Sequence, residues 1–213
     1  MFAEPLTDTA LAQAWTAAWS ALGRPAPIGL QAALLQAWSE PGRHYHDASH
    51  LRECLAWWQH WQGHFDHPGE VALALWFHDA VYDPRRTDNE LQSATWAART
   101  LVGAGVASDS AQRVYDLVMA TQHRLPVNGS DAQWVVDIDL AILGSPPERF
   151  ERYDQDVARE YDWVPNFRYR SGRIKVLREF LDRPRLYHHE APAQLLDPQA
   201  RVNLKAALSR LTP

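Results

Sequence analysis

Apolar residues return every three or four positions along almost the whole chain, the period of a helix with one buried face. Leu11, Ala14, Trp15, Ala18, Trp19 and Leu22 follow a Thr7/Asp8/Thr9 cap region, and Leu30, Ala33, Leu34, Ala37 and Trp38 repeat likewise until Pro41-Gly42. A third helix is predicted from near Asp47 to about Trp61, with Leu51, Cys54, Leu55 and Trp58 on one face. Pro68 suits the first turn of a fourth, predicted to run to about Tyr82 before Asp83-Pro84. Further helices fit residues 88–102, 108–122, 131–143, 147–162, 167–182 and 194–211. No stretch alternates as strands joined by tight turns do. The expected fold class is therefore all-α.

At 213 residues one domain is the default. We expect a single all-α domain over 1–213, with the chemistry in a core at about 28–144 and a C-terminal helical extension at about 145–211. The single cysteine, Cys54, excludes a disulfide scaffold and a multi-cysteine zinc or iron–sulfur site, and favours a reducing compartment. A net charge of −5 argues against a nucleic-acid coat or a membrane-surface role. Met1 to Pro5 carries no basic start to a secretory signal, and the densest apolar run, Val71 to Phe77, falls far short of the ~20 residues that span a bilayer. A cytoplasmic location is expected. What departs from an ordinary composition is ten His, ten Trp, and an excess of Arg over Lys.

Four places put metal-ligand residue types on helices. His46 and His50 are four apart and share a face if the helix has begun. His78-Asp79 closes the run Val71 to Phe77, which is apolar all round and so predicts burial. A buried carboxylate beside a buried imidazole needs a partner, and a divalent cation provides one. Asp137 and Asp139 lie in the apolar stretch Trp134 to Leu143, about 200° apart on a helix, so one of them can face a common centre. His123 ends the helix predicted at 108–122. Any one core His is more often hydrogen-bonded than metallated; the conjunction points to a metal. Imidazole and carboxylate donors suit Mn, Fe, Ni, Co, Zn or Mg.

The order His…His-Asp…Asp in an all-α chain resembles the HD superfamily of metal-dependent phosphohydrolases. Arg43-His44-Tyr45-His46-Asp47-Ala48-Ser49-His50-Leu51 resembles a Tyr-His-Asn-x-x-His segment of that group and of cyclic-nucleotide phosphodiesterases, with Asp47 where Asn is usual. Trp76-Phe77-His78-Asp79-Ala80-Val81-Tyr82, the Asp88 to Ala94 segment and Asp137 to Gly144 are similar to its other motifs, and the likeness covers roughly 28–211. It also extends to Arg159-Glu160-Tyr161, Arg173 and Arg201-Val202-Asn203-Leu204. The resemblance implies an HD-type helical bundle. It implies His50, His78, Asp79 and Asp139 as metal ligands, with His46 as proton donor to the leaving oxygen and Glu90 as the group orienting it. Asp79 is also expected to take a proton from water, whose pKa a bound metal lowers from ~15.7 towards ~7.

One divalent ion per chain is expected, because dinuclear members need more His between the doublet and the last Asp than His123 alone. His123 itself reads as a substrate contact, a second-metal ligand or a helix-end cap. Residues 163–178 hold Arg168, Arg170, Arg173, Lys175 and Arg178 with no acid, so Arg168 and Arg173 are candidates for a substrate phosphate. The alternative is a solvated face paired with Glu160, Asp162 or Glu179. The expected partner is a small phosphorylated substrate, with a homodimer as the assembly considered. Competing functions are a regulatory HD-fold protein that binds an anionic ligand and a di-iron oxygenase on the same fold.

Overall fold

The computed structural model describes residues 2–123 and 127–212. Among these residues there are ten α-helices and no strand, so the fold is all-helical. No described helix is long and apolar enough to cross a membrane. Two compact units divide at 138/139: one is Ala3–Ile138, the other residues 139–212 with Phe2.

The first unit contains α1 (Asp8–Ala21), α2 (Leu30–Ala37), α3 (Ala48–His60), α4 (Pro68–Phe77), α5 (Asn89–Gly103), α6 (Ser108–Ala120) and α7 (Ser130–Asp139). The division falls at the last residue of α7, so Asp139 is carried by a helix of this unit. Helix α4 is the hub. It is apolar around its whole circumference and buried from Gly69 to Phe77, packed against α1, α3, α5 and α6. Contact with α1 is close enough that a Cβ at Gly69 would meet Ala18 O at 2.7 Å and Ala21 Cβ at 2.8 Å. The one acid in the first turn of α4, Glu70, is buried and takes both bonds of the Arg113 fork from α6, each 2.7 Å long.

Helix α4 stops at Phe77, before the predicted end near Tyr82. Beyond it the carbonyls of Asp79 and Ala80 accept from Arg43, at 2.7 and 3.1 Å. The amide of Val81 donates to the Ser93 hydroxyl at 3.0 Å. The indole N–H of Trp38 donates to Trp76 O at 3.0 Å and His78 Nδ1 lies 2.8 Å from Leu75 O, so side chains occupy the carbonyls that the amides of Ala80 and Asp79 would need in another helical turn. Helix α7 is fixed at its start by Asp131, whose carboxylate accepts from the amides of Asp66 and His67 at 2.9 and 2.8 Å. It ends at Asp139, and the predicted helix to 143 continues only as the tighter 3-10 segment Leu140–Gly144.

In the second unit Leu140–Gly144 leads to α8 (Pro147–Glu160), α9 (Asn166–Leu181) and α10 (Glu190–Leu211). Asn203 on α10 donates to the carbonyls of Leu143 and Ser145 at 2.9 and 2.8 Å, and the Tyr187 hydroxyl donates to Leu140 O at 3.1 Å. Gly144 admits the α10 backbone: a Cβ there would lie 2.7 Å from Leu196 O. Helix α10 begins at Glu190, ahead of the predicted 194, with Pro192 in its first turn where the missing N–H costs nothing.

Candidate metal centre

Asp47 determines where α3 begins. Its backbone is extended, and its carboxylate accepts from the amides of Ser49 at 2.8 Å and His50 at 3.4 Å. The unusual residue of the Tyr-His-Asp segment is therefore a helix cap. His46 lies before that cap and outside the helix, so the predicted one-turn relation to His50 does not arise through helical geometry. The two rings still approach, with centroids 6.0 Å apart, because the loop folds back.

His50 is in the first turn of α3, and Cys54 stands one turn further on the same buried face; each is 2% exposed. His78, 1% exposed, caps the C-terminus of α4. Its Nδ1 lies 2.8 Å from Leu75 O. A carbonyl only accepts, so Nδ1 carries the proton and Nε2 turns its lone pair inward. Donor atoms of His50, Cys54, His78 and Asp139 all lie within 4.8 Å of one another, and the group can hold a metal ion. The His50 and His78 Nε2 atoms are 3.2 Å apart, and Cys54 Sγ is 3.7 Å from both ring nitrogens of His50. Asp79 stands beside the group, its Oδ2 3.4 Å from His78 Nε2. Of the two acids on α7, Asp139 joins the group, whereas Asp137 is 0% exposed.

Aromatic rings wall the group. Trp38 packs on His78 and His50 with centroids at 5.2 and 6.2 Å, and its indole N–H donates to Trp76 O at 3.0 Å. Tyr45 lies 4.7 Å from the His50 ring and 4.8 Å from that of His46. Tyr82 stacks on His46 at 4.2 Å. Arg43 locks this arrangement. One guanidinium nitrogen donates to His46 O and Asp79 O, at 3.0 and 2.7 Å; the other donates to Glu40 at 3.2 Å and Ala80 O at 3.1 Å. A single side chain therefore ties the loop bearing His46 to the chain that follows His78.

Glu90 is half-buried in the first turn of α5. His123 follows α6 in a left-handed conformation, φ 55°, which few residues other than glycine adopt. Arg168 and Arg173 lie on α9, in the second unit. Arg173 is buried and donates from Nε and Nη2 to Asp154 Oδ1 at 3.0 and 2.8 Å, its guanidinium over the Tyr153 ring. Arg168 is exposed, over the Phe167 ring, and Lys175 pairs with Glu179 at 3.8 Å. Arg86, just after the doublet, gives its fork to Asp88 at 2.8 and 2.9 Å.

Two contributors were missed by reasoning from sequence. Cys54 reads as one more apolar residue on the α3 face, although its i+4 spacing from His50 was visible. Arg43 enters the sequence reading only as the first residue of the Arg43–Leu51 segment. Comparison of the chain with protein-family models, with curated proteins and with solved structures finds no match, so the chemistry is read from the geometry of the group itself.

Proposed function

We propose that the group holds a divalent metal and that the protein is a metal-dependent phosphohydrolase, cleaving a phosphate ester, a nucleotide or a phosphodiester. One observation carries this reading: imidazole and carboxylate donors from three helices converge in a buried, aromatic-walled group with a further imidazole, His46, at its edge. An ion held there supplies Lewis-acid activation of water and polarisation of a phosphoryl oxygen.

The chain's own residues supply the rest. His50, His78 and Asp139 bind, and Asp79, adjoining His78, binds or accepts the proton that water loses. The rings of Trp38 and Tyr45 keep bulk water from the histidines, which strengthens every charge interaction there. His46 is only partly buried and is braced by Tyr45 and Tyr82, while Arg43 holds its carbonyl. An imidazole so held, with a reference pKa of ~6.5, is suited to protonate a departing alkoxide near neutral pH. Glu90 is assigned to orient it, as the resemblance implies.

The test is turnover of a panel of phosphate esters, nucleotides and phosphodiesters by protein loaded with Mn, Ni, Co, Mg, Fe or Zn. His46→Ala is expected to keep its metal and lose about 10²–10⁴ in kcat. Absence of turnover with every metal would sink the hydrolase reading.

A further inference from the structure

We infer that α10 carries a self-association face, on which a second copy of this chain packs antiparallel, helix against helix. Nothing in this pairing depends on the metal group or on the reaction proposed for it.

Helix α10 has two uncharged faces. One, with Leu196, Ala200, Leu204 and Ala207, is buried in the 139–212 unit. The other holds Ala191, Leu195, Pro198, Val202, Ala206 and Ser209, all exposed. These six return every three or four residues, so they form one stripe along about five turns. Within it Leu195 is 39% and Val202 59% exposed. A helix that covers one core presents polar residues to solvent on its far side. A second stripe without charge, opposite the first, marks a face that packs on something.

The order of residues in the stripe points to its own copy as the occupant. Reversed end to end about Pro198, the stripe sets Leu195 opposite Val202 and Ala191 opposite Ala206, bulky with bulky and small with small. A two-fold contact requires this self-complementarity. The charges agree. Glu190, at the start of α10, and Lys205, near its end, lie on the same flank of the stripe. Antiparallel helices bring matching flanks together, so Glu190 of each copy faces Lys205 of the other. Lys205 is exposed and makes no ion pair among the described residues. Glu190 is paired with Arg185 at 2.9 Å, but its side chain is 69% exposed and keeps lone pairs for a second cation. Arg201 on this flank is spent within the chain, on Asp197 at 2.6 Å and on the carbonyls of Leu181, Arg183 and Pro184. The stripe is narrow against the ~800 Å² that each partner of a standard interface buries, so a weak, micromolar dimer is expected.

Sedimentation velocity of the full-length protein over a micromolar concentration series reads the association, and a monomer–dimer equilibrium is expected. Val202→Asp should weaken the dimer by roughly 10-fold or more, because two carboxylates enter an apolar seam. Lys205→Glu should weaken it as well, and adding Glu190→Lys to that variant should restore it. Helical circular dichroism checks that each variant keeps its fold. Pro198→Cys should cross-link to its own copy through a short bismaleimide. Ala191→Cys should not, since a rise of 1.5 Å per residue sets it about 22 Å from its copy. The wild type, whose single cysteine is 2% exposed, is the blank for that assay. A monomer throughout the series, or a dimer that Val202→Asp leaves intact, would overturn the face. Failure of the charge reversal to restore what Lys205→Glu loses, or cross-linking at Ala191→Cys in place of Pro198→Cys, would overturn the antiparallel pairing.

Discussion

Replacing Arg43 tests the clamp that assembles the site. Arg43→Met keeps the length and most of the apolar stem but removes five N–H donors and the charge. Lost with them are the bonds to His46 O, Asp79 O and Ala80 O and the pair with Glu40. Glu40 is half exposed, so its pair counts for little. A hydrogen bond to a charged group is worth about 1.5–3 kcal/mol, so three give a gross loss of roughly 4.5–9 kcal/mol. The carbonyls of His46 and Asp79 are only partly buried and water replaces part of that loss; Ala80 O is buried and is left unsatisfied. Stacking over Trp38 and Tyr82 adds about 0.5–1 kcal/mol. The expected net cost is about 3 kcal/mol. Tryptophan fluorescence in a urea titration reads it out, because nine of the ten tryptophans precede residue 139. The midpoint should fall with little change in slope. Arg43→Lys should lie between, since an ammonium cannot span the same carbonyls with a planar fork. The variant should also bind metal more weakly, because the segments bearing His46 and Asp79 are no longer tied together. A midpoint and a metal affinity equal to those of the wild type would refute the clamp.

Two further outcomes follow from the same bonds. Asp47→Ala removes the cap of α3 and should cost about 1 kcal/mol, whereas Asp47→Asn, which keeps an acceptor oxygen, should cost far less; chemical denaturation measures both. Arg173→Met should destabilise the 139–212 unit by about 2–4 kcal/mol, because it leaves the partly buried Asp154 carboxylate only its longer pair with Arg210, at 3.4 Å; loss of helical circular dichroism at lower denaturant would show it, and an unchanged profile would argue that Arg173 is free to serve a ligand.

Much of this protein was legible in its residue order. Helical periodicity placed every long element, since each amphipathic helix records along the chain which face it buries. The start of α3 near Asp47 was read from the sequence, though not the cap that fixes it, and the uniformly apolar run before His78 announced a buried helix. The choice of Asp139 over Asp137 came from the resemblance, and the structure places Asp139 in the group. Periodicity does not encode which distant atoms meet. Helix α4 ends at Phe77, where Trp38, far back in the chain, takes the Trp76 carbonyl and Ser93, further on, takes the Val81 amide. Helix α7 tightens at Leu140, where the Tyr187 hydroxyl takes the carbonyl. Arg173, which reads as a free cation in an acid-free stretch, is paired with Asp154 on a different helix. Cys54 reads as core until α4 and α7 bring His78 and Asp139 against it. Which face of a helix is apolar is a local property of that helix, so the sequence carries it. A ligand group is a property of several chain segments at once, and only the tertiary packing decides that.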